Sequence, residues 1–358
     1  MLYSRLRQCV LMACVTACGC ARGDRAQPPG NGWYVHRLCV AADGSRIAAA
    51  AQRGRPGDAG FSTALLVATV PSGRVTYRKE SPTAQDLPLQ WLKSGPQLLV
   101  AHGLLDDFGF GQAASGIFAL DVSTQHRDRV VPLLGLEDAA RWSPDYREVI
   151  FQLAPATSWQ PPEEVRTGSP DVYVASDARH ARLLVSRAYL VAVAPLDGGP
   201  DYWVVVRKDH SLFAVLVPVG KERSVLSPSL GTTSGYSVSP NAEYGAGLGS
   251  ETDGKTRLVV QRLGANAPPV VLRIPTDGRM DTVWSTDSHT IACFGVGGLW
   301  LCDPGRRTVC RVGREHQRIT ACAWLPGDQE LLVASGPDIS LVSRETGAYR
   351  HLCSAEGG

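Results

Sequence analysis

Apolar runs and turn-forming residues alternate along this chain in a unit that repeats. The clearest copy is Trp142-Ser143-Pro144-Asp145 followed by Tyr146-Arg147-Glu148-Val149-Ile150-Phe151: an apolar anchor, a turn, then an apolar strand. The same register recurs with anchors at Val40, Trp91, Trp142, Val193, Val238, Trp284 and Trp324, at intervals of 51, 51, 51, 45, 46 and 40 residues. Turn residues follow each anchor, among them Ala42-Asp43-Gly44, Pro144-Asp145, Pro240-Asn241 and Pro326-Gly327-Asp328. Proline presets φ, Asp and Asn side chains bond back to the backbone, and glycine accepts positive φ.

A second half-pattern, a strand and then a turn, sits in every interval. Its copies begin at Leu65, Ile117, Val172, Leu212, Leu258, Leu299 and Ile339, and each reads as a two-strand hairpin. Two hairpins give four strands, the content of one propeller blade. The expected fold is therefore all-β, a seven-bladed β-propeller of four-stranded antiparallel blades over residues 33–354. The physics agrees: one such sheet cannot bury both of its faces alone, and radial stacking hides them between neighbours. Two β-sandwiches in tandem, the main alternative, do not predict a matched register seven times.

Ahead of the repeats the pattern changes. Arg5 and Arg7 precede a short apolar segment from Cys9 to Ala17, and small residues then lead to a cysteine. These are the parts of an export signal over residues 1–17, too short in its apolar part to span a bilayer. Val15-Thr16-Ala17-Cys18 resembles the bacterial lipobox, which implies lipidation of Cys18; Cys14 and Cys20 are rival acceptors. Acyl chains anchor through about 0.8 kcal/mol per buried methylene, so several chains on one cysteine hold firmly. Residues 18–32, with Pro28, Pro29, Gly30 and Gly32, read as a flexible tether. The expected location is exported and membrane-anchored, facing the periplasm or the cell surface.

Charge narrows the partners. The formal net charge is +2; without Arg5 and Arg7, 34 basic residues face 34 acidic ones. A near-neutral body gives no electrostatic case for nucleic acid. Of ten cysteines, six fall in the repeats: Cys39, Cys293, Cys302, Cys310, Cys322 and Cys353. No CxxC pair stands among them, which argues against a zinc site. Cys302 and Cys310 lie symmetrically about Arg306 in a hairpin, so they are read either as a disulfide across it or as two ordinary thiols.

The anchor, the S-P-D turn and strands such as Val149-Ile150-Phe151 and Ile117-Phe118-Ala119-Leu120-Asp121 resemble the WD-like repeat of the TolB-type bacterial propellers. Several copies are eroded: the stretch from Val193 to Pro200 lacks the serine, and Asn241 replaces the aspartate after Val238. The resemblance implies an envelope interaction domain that often holds proteins or peptides at its central funnel. Propellers host many activities, so function has to come from sites.

Catalytic patterns are scarce. There is no G-x-S-x-G elbow, no H-E-x-x-H and no EF-hand loop, and the eight histidines are scattered singly. Gly109-Phe110-Gly111-Gln112-Ala113-Ala114 only superficially resembles a dinucleotide fingerprint, because no βαβ context surrounds it. Two insertions are more informative, since rim loops vary freely on a rigid scaffold. Residues 103–116 bring Asp106, Asp107, Phe108 and Phe110; residues 154–169 bring Trp159, Glu163 and Glu164. Both fall between the second and third strands of adjacent blades, so they are expected to share one acidic, aromatic patch on one rim. The reading is a monomeric, non-enzymatic scaffold for an envelope protein or peptide, with no cofactor and no metal. The alternative is a propeller enzyme, a metal-dependent lactonase or hydrolase with its site in the central channel.

Overall fold

The computed structural model describes residues 32–356 except 55–59, 93–94, 105–115, 133–139, 154–169, 177–179, 196–200, 209–210, 218–220, 227–233, 242, 252–253, 264–266, 277 and 314–316. It is all-β: strands β1 to β28 run from Trp33–Val40 to Tyr349–Ser354 and form seven four-stranded antiparallel sheets, each built from four consecutive strands. The first strands of the blades are β1 (Trp33–Val40), β5 (Ala84–Trp91), β9 (Ala140–Trp142), β13 (Tyr189–Pro195), β17 (Ser234–Val238), β21 (Met280–Trp284) and β25 (Ala321–Trp324). Each touches the first strand of the blade before and after it, and β1 touches β25. That closes the ring with the first strands innermost. The chain is a seven-bladed β-propeller.

The core follows from the stacking. Among the described residues, seven separate apolar layers lie between blades instead of one central core, since each sheet must hide two faces. Six of the seven anchors end the inner strand of their blade. Val193 does not: it lies inside β13, two residues before its end. Trp91 and Trp324 each donate their indole N–H to a backbone carbonyl of the preceding blade, Cys39 O and Val283 O, both at 3.2 Å. In each case the acceptor is the residue just before that blade's own anchor. A buried tryptophan needs a partner for its N–H, and this one ties neighbouring blades together.

The repeated turn has a common chemistry. The amide of the residue after the anchor donates to a carbonyl five residues on, as in Ala41 to Arg46, Ser143 to Glu148, Ser239 to Tyr244, Ser285 to Thr290 and Leu325 to Glu330. Where that residue is serine, its hydroxyl donates to the turn carboxylate or amide two residues on (Asp145, Asn241 or Asp287) and accepts from an amide beyond it. The fourth residue past the anchor takes positive φ: Gly44 71°, Gly95 92°, Tyr146 61°, Ser288 63° and Asp328 56°. Turns between third and fourth strands reuse the device at Gly73 (φ 69°), Gln125 (φ 61°), Arg307 (φ 55°) and Gly347 (φ 69°). Gln125 is exposed and carries a side chain in the left-handed conformation that glycine adopts without strain. Gln125→Gly is expected to stabilise the protein by about 1 kcal/mol, read as a higher urea midpoint at unchanged slope.

No sheet mixes strands from both ends of the chain, so the ring closes by packing two complete sheets against each other. Trp33, Val35, Ile47, Leu66 and Ala68 of blade 1 interlock with Leu332, Ile339, Leu341 and Leu352 of blade 7. Polar bonds fasten the same seam: Val35 N to Gly336 O at 2.8 Å, Arg78 to Ala355 O at 3.0 Å and Arg350 to Pro71 O at 3.2 Å. Arg53 and Arg78 also stack on the Trp33 ring.

Candidate functional site

In a four-stranded meander the turns alternate between the two ends of the blade. The second-to-third-strand connections and the inter-blade connections therefore share one face of the ring, and the anchor turns share the other. In blade 2, residues 105–115 connect β6 (Gln97–Leu104) to β7 (Gly116–Asp121). Residues 154–169 do the same in blade 3 between β10 (Val149–Leu153) and β11 (Asp171–Ala175). Both pairs of strand ends lie on the same face in adjacent blades. Asp106, Asp107, Phe108, Phe110, Trp159, Glu163 and Glu164 themselves fall outside the described residues, as does Cys18.

A buried charge cluster lies at the seam of blades 1 and 2. Asp86, on β5, is 8% exposed. Its carboxylate accepts from His102 Nδ1 at 2.6 Å and from both terminal nitrogens of Arg127, at 3.1 and 2.5 Å, with Lys79 Nζ at 3.4 Å. Burial alone would raise the Asp86 pKa; the hydrogen bonds from His102 and Arg127 and the Arg127 charge outweigh it and hold the carboxyl well below its usual range. His102 packs edge-on against Phe118, and Arg129 covers the Phe118 ring. A carboxylate orienting a histidine is half of a nucleophile-activating triad. Here Arg127 and Lys79 engage the same carboxylate, which makes the cluster an ion-pair brace at the seam of blades 1 and 2. Sequence reading missed Asp86. The signal was a lone carboxylate on a strand otherwise set to enter a core, five residues ahead of its anchor.

Toward the channel, His36 meets Gln85 at 3.2 Å, joining blades 1 and 2. Arg37 on β1 and Arg141 on β9 both lie near the half-buried Cys39 thiol; burial pushes that thiol up to about 11 against their opposing pull. Inner strands β13, β17 and β25 carry no Asp, Glu, Lys, Arg or His, and β21 carries Asp281. Among the described residues, no group of three or more His, Cys, Asp or Glu is arranged to hold a metal ion.

Of the two readings of Cys302 and Cys310, a disulfide or two ordinary thiols, the register does not provide the disulfide. Cys302 stands opposite Val309, and Cys310 opposite Leu301. The two side chains therefore leave opposite faces of the sheet: Cys302 is buried, Cys310 is exposed, and neither is in a disulfide. The sulfur facing Cys302 belongs to Cys293, at 3.8 Å.

Comparison with known proteins adds to the fold alone. No family model matches the sequence, and no curated protein matches it. Among solved structures the chain is similar to a chain of Kuenenia stuttgartiensis hydrazine synthase, with a TM-score of 0.59, 11% identity, and 91% of this chain and 99% of that one covered. It is also similar to the β-propeller domain of Myceliophteria thermophila Cps50 (Swd1), with a TM-score of 0.56, 14% identity and coverage of 89% and 95%. At these identities the likeness defines the class, a seven-bladed propeller, and carries no activity across.

Proposed function

We propose that the chain is a non-enzymatic propeller scaffold that binds a protein or peptide in the bacterial cell envelope, held at the membrane by a lipid on Cys18. The observation that supports the reading is that the strand ends flanking residues 105–115 and 154–169, of β6 and β7 and of β10 and β11, lie on one face in adjacent blades. The sequence between those strand ends carries Asp106, Asp107, Phe108, Phe110, Trp159, Glu163 and Glu164. Aromatic side chains beside carboxylates suit a partner surface that mixes apolar and basic groups. The resemblance of the repeats to the TolB-type propellers supports the same class of role, as does the lipobox-like sequence.

Capture from detergent-solubilised membranes tests the binding reading. The intact protein is expected to retain a partner that is lost when both connections are replaced by short Gly-Ser links. Equal recovery from both versions would remove the two connections as the binding surface. The anchor has its own test. Cys18→Ala is expected to abolish incorporation of labelled palmitate and to release the protein from membranes; undiminished labelling would move the lipid to Cys14 or Cys20.

A further inference from the structure

We propose that Cys293 and Cys302 join in a disulfide inside the seam of blades 5 and 6 when the chain folds under oxidising conditions. Cys293 lies on β22 (Ile291–Gly295) and Cys302 on β23 (Gly298–Asp303), neighbouring strands in which Ile291 pairs with Cys302 and Cys293 with Trp300. The cysteines are therefore diagonal neighbours on one face of the sheet. Their sulfurs lie 3.8 Å apart, both side chains are fully buried, and Trp284, Trp300, Leu258 and Val260 enclose them. Diagonal neighbours lie ~7–8 Å apart at Cα, at the upper limit for a disulfide, so closing the sulfurs to ~2.0 Å draws the two strands slightly together.

The pseudo-symmetry of the ring shows what these positions ordinarily hold. Blade 7 pairs Leu331 with Val342 where blade 6 pairs Ile291 with Cys302. The equivalents of the two cysteines there are Val333 and Val342, and in blade 1 they are Ala49 and Ala68, all buried. Packing is satisfied by any small apolar residue; blade 6 alone of these three puts sulfur at both ends of the diagonal.

The bond forms by exchange with a small-molecule disulfide such as oxidised glutathione. One protein thiolate attacks it and expels a glutathione thiolate, leaving a mixed disulfide. The second protein thiolate attacks the protein sulfur of that bond and expels the second glutathione. The protein loses two protons and two electrons, and the oxidant's S–S bond becomes two thiols. Burial pushes the Cys293 thiol well up in the folded, reduced chain, so the exchange belongs to the stage before the seam closes.

Peptide mapping reads the outcome directly. No Lys or Arg stands between Arg279 and Arg306, so trypsin releases both cysteines in one peptide, residues 280–306, while Cys310 leaves in another. The full chain is refolded in a glutathione redox buffer, unfolded in denaturant with an alkylating agent, and digested. The expected peptide carries no alkyl group and is lighter by two hydrogens than its reduced form. A peptide alkylated at both cysteines would overturn the proposal. As a second readout, reductant is expected to lower the urea midpoint of the native protein and to leave that of Cys293→Ala unmoved; equal shifts in the two would also overturn it.

Discussion

Gly73→Ala is expected to cost the protein ~3–5 kcal/mol, the sum of overpacking a closed seam and forcing a side chain into left-handed backbone. Gly73 sits in the turn between the third and fourth strands of blade 1 with φ +69°, and a Cβ there would lie 1.8 Å from the carbonyl oxygen of Leu352 in blade 7. The obstacle is backbone, which no rotamer change relieves. Because blades 1 and 7 share no strand, pushing them apart at this point loosens the apolar layer that closes the ring. Gly327→Ala is the control: its φ is +88°, but nothing lies within 4 Å of the added atom. That substitution is expected to cost only ~1–2 kcal/mol. Urea unfolding of both variants measures the difference, and equal losses would show that the closing seam yields freely.

The second large effect concerns the Asp86 brace at the seam of blades 1 and 2. Asp86→Asn keeps the shape of the side chain and removes its charge, leaving Arg127, Lys79 and His102 facing one another. The expected loss at neutral pH is ~3 kcal/mol, at the lower end for a broken buried pair because Arg127 and Lys79 keep some access to water. The effect has a pH signature. Asp86 is held below the carboxylate value of the unfolded chain, ~3.9, so its contribution is full above that value and fades as pH falls toward the folded one. The gap between native protein and variant should therefore narrow on acidification from pH ~4 downward. A gap that stays constant from neutral pH to pH ~3 would mean that the carboxylate is not held in the depressed state the ion pairs require.

The ring was legible in the sequence because its evidence is periodic. Seven anchors followed by Ser-, Asp-, Asn-, Pro- or Gly-bearing turns repeat one local problem, in which an inner strand must reverse through a residue with positive φ. The structure meets it at the same offset from Val40, Trp91, Trp142, Trp284 and Trp324. Val193 was placed less well. Its inner strand runs two residues further, to Pro195. The disulfide alternative for Cys302 and Cys310 fails on register. Symmetry about Arg306 assumes an odd number of turn residues, whereas the hairpin closes on Asp303 opposite Thr308 around four. A slip of one residue sends a side chain to the other face. Asp86 was invisible for a different reason: its partners Lys79, His102 and Arg127 come from three other strands in two blades, and no local pattern brings them together.

What the proposal for function requires is one working face. A photo-crosslinking amino acid placed at Phe110 or Trp159 puts the probe within the two second-to-third-strand connections; placed at Asp43 or Pro326, both exposed in anchor turns, it probes the face of the anchor turns. Illumination of intact membranes is expected to give a discrete partner adduct from the first two positions and none from the other two. Adducts of equal yield from both pairs of positions, or from the anchor-turn face alone, would contradict the account.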